Sequence, residues 1–228
     1  MKLAKNIAVL VPSRGRPQNI KRLVDSFQDT VSDLENTHLI VGVDDDDVTK
    51  DEYLLLTAPF LRIVVSPRLR LAGTLNALAE QHMDAYDILG FMGDEHLPRT
   101  TDWDDRIREA MPPRGVVYGN DLIQGPNLPT EVFLDSEVVK RLGYFAPRGF
   151  IHLFLDNTWK TWGERTGTLR YLADVIIEHL HPVAGTASSD AGYVEVNSSD
   201  IWNADEARYN EYVASGELNA DIEKLRSL

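Results

Sequence analysis

The hydrophobic positions of this chain follow two alternating rhythms. Four short β-branched runs, at residues 6–11, 38–43, 61–65 and 87–92, are apolar almost without interruption and are closed by turn-forming or charged residues. Runs of that length with no polar face predict strands buried on both sides, as in a parallel sheet. Between them the period becomes helical. Ile20, Leu23, Val24 and Phe27 recur at 3.6-residue spacing within 18–28, after a Pro-punctuated turn, and Leu75, Leu78 and Ala79 form a stripe within 73–82. Strand and helix therefore alternate through residue 92. The economical architecture is α/β, a doubly wound, mostly parallel sheet flanked by helices, in which ligands sit beyond the carboxyl ends of the strands.

Beyond residue 98 the rhythm changes. Residues 102–110 predict a helix, 115–118 a short strand, and 136–142 a short helix that stops at Gly143, a residue suited to a left-handed helix end. A helix is expected over 154–162, and residues 169–181 finish in an apolar strand at 174–180. Residues 185–199 are small and polar and predict a mobile loop, with a terminal helix over 206–228.

At 228 residues the chain is long enough for one large domain with its own core. Its 23 Lys and Arg against 36 Asp and Glu leave a net charge of −13, which excludes a surface built to neutralise phosphate backbones and with it nucleic acid as a general partner. Hydrophobic content of 43% with 26% charge fits neither disorder nor a membrane protein. Cysteine is absent, so disulfides, thiolate metal sites and a Cys nucleophile are excluded together, in keeping with a reducing compartment. No run approaches the roughly 20 apolar residues that span a bilayer, and residues 7–11 are too few for a secretion signal. The expectation is a soluble cytoplasmic protein.

Candidate chemistry collects where the strands end. The first ends in Val-Pro12-Ser13-Arg14-Gly15-Arg16-Pro, which brings backbone donors, a hydroxyl and two guanidiniums to one turn, as an anionic ligand requires; the same residues also make an ordinary turn into a helix. The second ends in four carboxylates, Asp44 to Asp47. Adjacent like charges repel, so a carboxylate here suits a base or ribose hydroxyl, while helix capping accounts for at least two of the four. The fourth strand runs into Gly93-Asp94-Glu95-His96, where glycine admits close approach of a ligand. In extended geometry Asp94 and His96 point the same way and suit one divalent cation, while Glu95 faces away. By the same alternation His179 and His181 share a face of the last apolar strand, each either a third ligand or a satisfied core histidine.

These segments, together with Arg68-Leu-Arg70-Leu-Ala-Gly73-Thr-Leu-Asn76-Ala-Leu, resemble in order the nucleotide-sugar glycosyltransferases of the GT-A fold, particularly family 2, over residues 6–98. The resemblance implies a Rossmann-like GT-A sheet and a nucleoside diphosphate sugar donor, UDP-sugar by preference, with Mn²⁺ or Mg²⁺ on the diphosphate. It implies that Ser13, Arg14 and Asp44 hold the nucleoside and that Arg68 or Arg70 meets base or phosphate. Pro12, Arg16, Asp45, Gly73, Asn76 and Gly93 complete the implied donor site. The Asp94-x-His96 motif departs from the common Asp-x-Asp and is similar to that of the polypeptide N-acetylgalactosaminyltransferases. These add a distal His as a further ligand, for which His179 or His181 is the candidate. Those relatives retain anomeric configuration and many family 2 members invert it, so both outcomes stay open. Physical chemistry points the same way: a departing diphosphate gains charge that a cation and arginines stabilise. In a chain of net charge −13 the local cation with Arg14, Arg16, Arg68 and Arg70 has to overcome the general repulsion.

On this reading residues 1–98 are the nucleotide-sugar half of a single domain, 99–184 the acceptor and catalytic half, and 185–228 a mobile loop and terminal helix. In the second half Asp156 lies within Phe150-Ile-His152-Leu-Phe-Leu-Asp156-Asn157, an apolar helix start that raises a carboxyl pKa toward base duty and equally suits an N-cap. It resembles the position of the base in inverting family 2 enzymes. Trp103, Trp159 and Trp162 are either core or sugar-facing, and Trp202 falls in the tail. No motif specifies the sugar, the acceptor (glycan, protein or small molecule) or the oligomeric state. Two other functions stay open. A sugar-phosphate nucleotidyltransferase shares the sheet and the metal but normally carries a Gly-rich turn with a Lys, which Ser13-Arg-Gly-Arg-Pro is not. A noncatalytic nucleotide-sugar-binding module needs neither the second half nor a distal His.

Overall fold

The computed structural model describes residues 5–186 and 190–227. Ile7–Ser13 (β1), Thr37–Asp44 (β2), Leu61–Ser66 (β3) and Ile88–Phe91 (β4) pair in parallel in the order β3-β2-β1-β4. Helices Pro17–Thr30 (α1), Lys50–Leu54 (α2) and Arg70–His82 (α3) follow the first three strands. β1 shows why its run is apolar at every position. Ile7, Val9 and Val11 pack with Ile20, Leu23 and Phe27 of α1, whereas Ala8 and Leu10 pack in a second cluster with Leu75 and Leu78 of α3. Successive side chains of a strand leave opposite faces, and here both faces are covered.

Past β4 the sheet becomes mixed. His96–Pro98 (β5), Val116–Asn120 (β6), Val132–Asp135 (β7) and Leu169–His179 (β8) extend it to eight strands in the order β3-β2-β1-β4-β7-β6-β8-β5. β7 is antiparallel to both β4 and β6, β8 runs parallel to β6, and β5 is antiparallel to β8. β5 and β7, at 3 and 4 residues, carry too little periodicity to be read from sequence. Trp103–Ala110 (α4), Ser136–Leu142 (α5) and Leu155–Thr166 (α6) complete the second half. α5 begins on the Asp135 carboxylate, which accepts from Glu137 N, and ends at Gly143 with φ 82°.

The C-terminal segment departs from its sequence expectation. Residues 185–199, expected as a mobile loop, contain the helix Ala191–Val196 (α7); residues 187–189 lie outside the described residues. The small polar residues act as caps: Asp190 accepts from Tyr193 N, and Ser198 accepts from Ile201 N to open the helix Ser199–Ala214 (α8). The single helix expected over 206–228 is broken, because Gly216 at φ 91° turns the chain from α8 into Glu217–Arg226 (α9). No helix among the described residues is long and apolar enough to cross a membrane.

Candidate active site

The carboxyl ends of β1, β2 and β4 open on one cavity of about 1110 Å³, whose remaining walls come from the starts of α3 and α6, the end of β8, α7 and α8. Gly15 makes the first turn possible. At φ 70° it takes a conformation that L side chains rarely adopt, and its N–H donates to Asp47 Oδ2 at 2.7 Å. Pro12, Ser13, Arg14 and Arg16 thereby line the cavity.

Asp94, only 4% exposed, accepts from Ser13 Oγ at 2.6 Å and from Arg16 Nη1 at 3.1 Å. Since Ser13 gives its proton to Asp94, the Tyr53 hydroxyl of α2 donates to Ser13 Oγ at 2.9 Å, and it accepts from Arg16 N at 2.7 Å. Burial drives the Tyr53 hydroxyl up to about 12, so it stays a donor at neutral pH.

The motif after β4 does not stay extended. His96 N donates to Gly93 O at 3.0 Å and closes residues 93–96 into a turn, while Gly93 N donates to His96 Nδ1, also at 3.0 Å. Only glycine fits there, since a Cβ would stand 2.9 Å from that ring nitrogen. The turn sends Asp94 toward Ser13 and Arg16 and leaves His96 Nε2 3.4 Å from Thr130 Oγ1. The same-side placement of Asp94 and His96 expected of an extended chain is thus replaced. Glu95, expected to face away, lies 3.2 Å from Arg16 Nη1 and 3.6 Å from His179 Nε2.

β5 supplies the connection that the sequence conceals. Its register sets His96 opposite His179, so the rings stack with centroids 4.2 Å apart, and His181 packs edge-on against His179 at 5.0 Å. His179 Nε2 is buried with no hydrogen-bond partner among the described residues. Burial pushes the Asp94 carboxyl well above its ordinary range, and the Glu95 carboxylate beside it adds to the effect. Burial opposes ionisation of Glu95 too, but His179 and Asp94 hold it well below its ordinary range. Burial, reinforced by His179, drives His96 down to about 3, leaving it neutral. Arg16 is held protonated by Asp190 at 2.7 Å, against burial, with Asp94 and Glu95 assisting.

Among the described residues no three His, Asp or Glu side chains converge as a complete metal cage. The donor chemistry nevertheless fits a divalent ion such as Mn²⁺ or Mg²⁺. Carboxylates and imidazoles line one cavity, and the buried His179 Nε2, which makes no hydrogen bond among the described residues, lies 3.6 Å from the Glu95 carboxylate.

At the end of β2, Asp44 accepts from Arg14 Nη1 at 3.0 Å and lies 3.6 Å from Arg68 Nε; burial raises its carboxyl and Arg14 opposes that rise. Asp46 pairs with Arg14 as well, and Asp47 accepts from Gly15 N and Thr49 N at 2.7 and 2.8 Å, a turn-holding role. Glu195 of α7 accepts from Arg68 Nη2 at 3.0 Å and from Arg70. Arg16, Arg68 and Arg70 therefore each meet a carboxylate from the C-terminal segment. Three residues implied for the donor site lie outside the cavity. Asp45 is exposed on the turn, and Gly73 is packed against Leu69. Asn76 braces another segment, accepting from Phe145 N and Ala146 N at 2.8 and 2.9 Å and donating to Ala146 O at 2.8 Å.

Asp156 lines the cavity from the first turn of α6. Burial raises its carboxyl, opposed by the Asn157 N–H at 2.9 Å. The N-cap position belongs to Phe154, at φ 64°, and makes no side-chain cap bond. Sequence reasoning missed Tyr53, Thr130, Asp190 and Glu195. None belongs to a local motif at its strand end, and each reaches the site through pairings distant in the chain. Only the acidic pair left a signal, as charge within an otherwise small, polar stretch.

No protein-family model matches the sequence, and no curated protein matches it. Solved structures do. The chain is similar to the mannosyltransferase PcManGT from Pyrobaculum calidifontis in complex with GDP-Man and Mn²⁺, with a TM-score of 0.60 and 13% identity over 98% of this chain and 74% of that one. It is similar to S. aureus TarS, residues 1–349, in complex with UDP-GlcNAc, with a TM-score of 0.58 and 12% identity over 91% and 75% of the two chains. It is similar too to glucosyl-3-phosphoglycerate synthase from Mycobacterium tuberculosis in complex with Mn²⁺, UDP and phosphoglyceric acid, with a TM-score of 0.61 and 14% identity over 91% and 79%.

Proposed function

We propose that this chain, which has the GT-A fold of those nucleotide-sugar glycosyltransferases, transfers a glycosyl group from a nucleoside diphosphate sugar to an acceptor hydroxyl with the help of a divalent cation, and that its nucleotide is UDP. The observation that carries the reading is a single cavity shared by the arginines and carboxylates at the ends of β1, β2 and β4 and by the half-buried carboxylate of Asp156.

Pro12, Ser13, Arg14 and Asp44 receive base and ribose at the strand ends, where open α/β sheets take their ligands. Arg16, Arg68 and Arg70 receive the diphosphate, exchanging the carboxylates of Asp190 and Glu195 for phosphate oxygens of like charge and geometry. Asp94 and Glu95, with His179 and flanked by His96 and His181, are the residues that would hold Mn²⁺ or Mg²⁺. When bound, that ion neutralises the diphosphate and stabilises the charge it gains on leaving. Asp156 takes the proton of the acceptor hydroxyl. The freed oxygen bonds to the anomeric carbon, and the bond from that carbon to the diphosphate breaks with its electron pair departing on the nucleoside diphosphate. A carboxyl raised by burial is suited to that role, because a base works best with a pKa nearer the operating pH. This route inverts the anomeric carbon.

Calorimetric titration with UDP, GDP and dTDP, each with and without Mn²⁺, tests the donor half. The expected result is Mn²⁺-dependent binding with UDP preferred. Absence of binding by all three contradicts the proposal.

A further inference from the structure

Of the four tryptophans, Trp103, Trp159 and Trp162 are sealed at 0%, 1% and 0% exposure, whereas Trp202, the one remote from every motif, is 47% exposed and lines the cavity. Its position is built. Trp202 and Asp205 stand three residues apart on α8, so they share a face of the helix. Asp205 is fully buried, and its carboxylate accepts from three successive backbone N–H groups, Ile151 and Leu153 at 2.7 Å and His152 at 2.9 Å. That carboxylate lashes α8 to the loop that leads into Asp156. The indole then meets Phe154 edge-on with centroids 5.4 Å apart, and Phe154 is backed by Tyr209, stacked at 5.5 Å. Phe154 holds φ 64°, a left-handed conformation that costs a non-glycine residue free energy and that tends to persist at functional sites. A strained aromatic two residues before the carboxylate proposed as base thus fixes the attitude of an open indole on the same wall.

The charge of this wall identifies what it takes. Among the described residues from Ile123 to Trp202 that line the cavity none is Lys or Arg; with Asp156 and Trp202 the lining includes Asn157, Asn197, Ile201 and Phe154. Arg16 and Arg70, which share the cavity, are paired with Asp190 and Glu195, so this stretch itself offers an anionic acceptor no Lys or Arg. A pyranose matches the combination, since its axial C–H bonds are weakly positive and lie against the negative face of an indole, while its hydroxyls reach amide and carboxylate groups.

We infer that the acceptor is an uncharged saccharide whose ring stacks on Trp202, which makes Trp202 a determinant of acceptor specificity. The inference rests on the glycosyltransferase reading for its role and on Trp202 alone for its binding. The test is saturation-transfer NMR of the full chain with the methyl glycosides of glucose, galactose, mannose and N-acetylglucosamine, with 3-phosphoglycerate and glycerol 3-phosphate as charged comparators. Indole emission is followed alongside. At least one glycoside is expected to bind and to change the emission, binding roughly tenfold weaker to Trp202→Ala and within a few-fold of wild type to Trp202→Phe, the range of a lost aromatic stack. Thermal unfolding of each variant shows that the fold is kept. Binding of no glycoside, equal binding by Trp202→Ala, or preference for the phosphorylated comparators overturns the inference. Hydrolysis of UDP-sugars by the wild-type chain is measured in parallel: if it occurs while glycosides ignore Trp202, only this inference fails, and if it is absent the glycosyltransferase reading fails on its own.

Discussion

The cavity wall contributed by the first half of the chain carries five arginines, Arg14, Arg16, Arg22, Arg68 and Arg70, and four of them are paired with carboxylates; among the described residues the wall from residue 123 onward carries no Lys or Arg. Even the acid beneath that second wall is quiet. Glu131, fully buried beside the cavity residue Thr130, is raised to about 8 by burial and is protonated at neutral pH. The difference follows the chemistry proposed for each side. A departing diphosphate gains charge and needs cations already in place, whereas an attacking hydroxyl brings none and needs orientation and a base.

The largest expected effect breaks the charged wall. Asp94→Ala removes the carboxylate that meets Ser13 and Arg16, and donor turnover should fall to the background rate while the melting temperature shows a folded chain. Full turnover by this variant would remove Asp94 from the metal site. On the second wall Asp156→Asn should lower transfer about 10²–10⁴-fold with UDP binding preserved, as loss of a general base does. An inverted product formed at a near-normal rate by this variant, read from the anomeric NMR signal, would eliminate Asp156 as the base.

A stability measurement probes the protonation of Glu131. The folded-state pKa of Glu131, at about 8, lies above its ordinary 4.5, so the protonated form favours the fold. Its contribution is complete at low pH and is lost as pH rises toward and through about 8. Denaturant unfolding should show stability declining over that window by on the order of a few kcal/mol, and Glu131→Gln, which keeps the shape without the ionisation, should flatten the decline. An identical pH profile in the two proteins would count against a neutral Glu131. The smallest effect concerns α7. Glu195 occupies Arg68 and Arg70, so on the proposed donor site Glu195→Gln should tighten UDP binding roughly two- to fivefold, the scale of an exposed ion pair. Weaker binding would make Glu195 a positioning group for those arginines.

The same contrast governs what the sequence discloses. The first wall is written in local motifs at the ends of continuously apolar strands, so Ser13, Arg14, Arg16, Asp44 and Asp94 are found by reading along the chain, and all line the cavity. Asp45, Gly73 and Asn76 fall away because neighbours in sequence need not face the same space; the Asn76 amide is consumed by the 145–146 backbone. The second wall is assembled by tertiary pairing. A strand of 3 residues sets His96 against His179, and a carboxylate on α8 fastens the loop at 151–153, neither of which leaves a periodic trace. Trp202 illustrates the limit most plainly. Composition cannot distinguish it from the three core tryptophans, and only the packing of α8 against Phe154 exposes it to the cavity.

The central claim, that the charged wall activates a nucleotide-sugar donor, is tested most directly by the release of nucleoside diphosphate from UDP-, GDP- and dTDP-sugars without any acceptor, in Mn²⁺ and after chelation. The expected result is slow release from a UDP-sugar that requires the divalent ion and disappears in Asp94→Ala. Folded wild-type protein that releases nothing from any donor, with or without Mn²⁺, would contradict it.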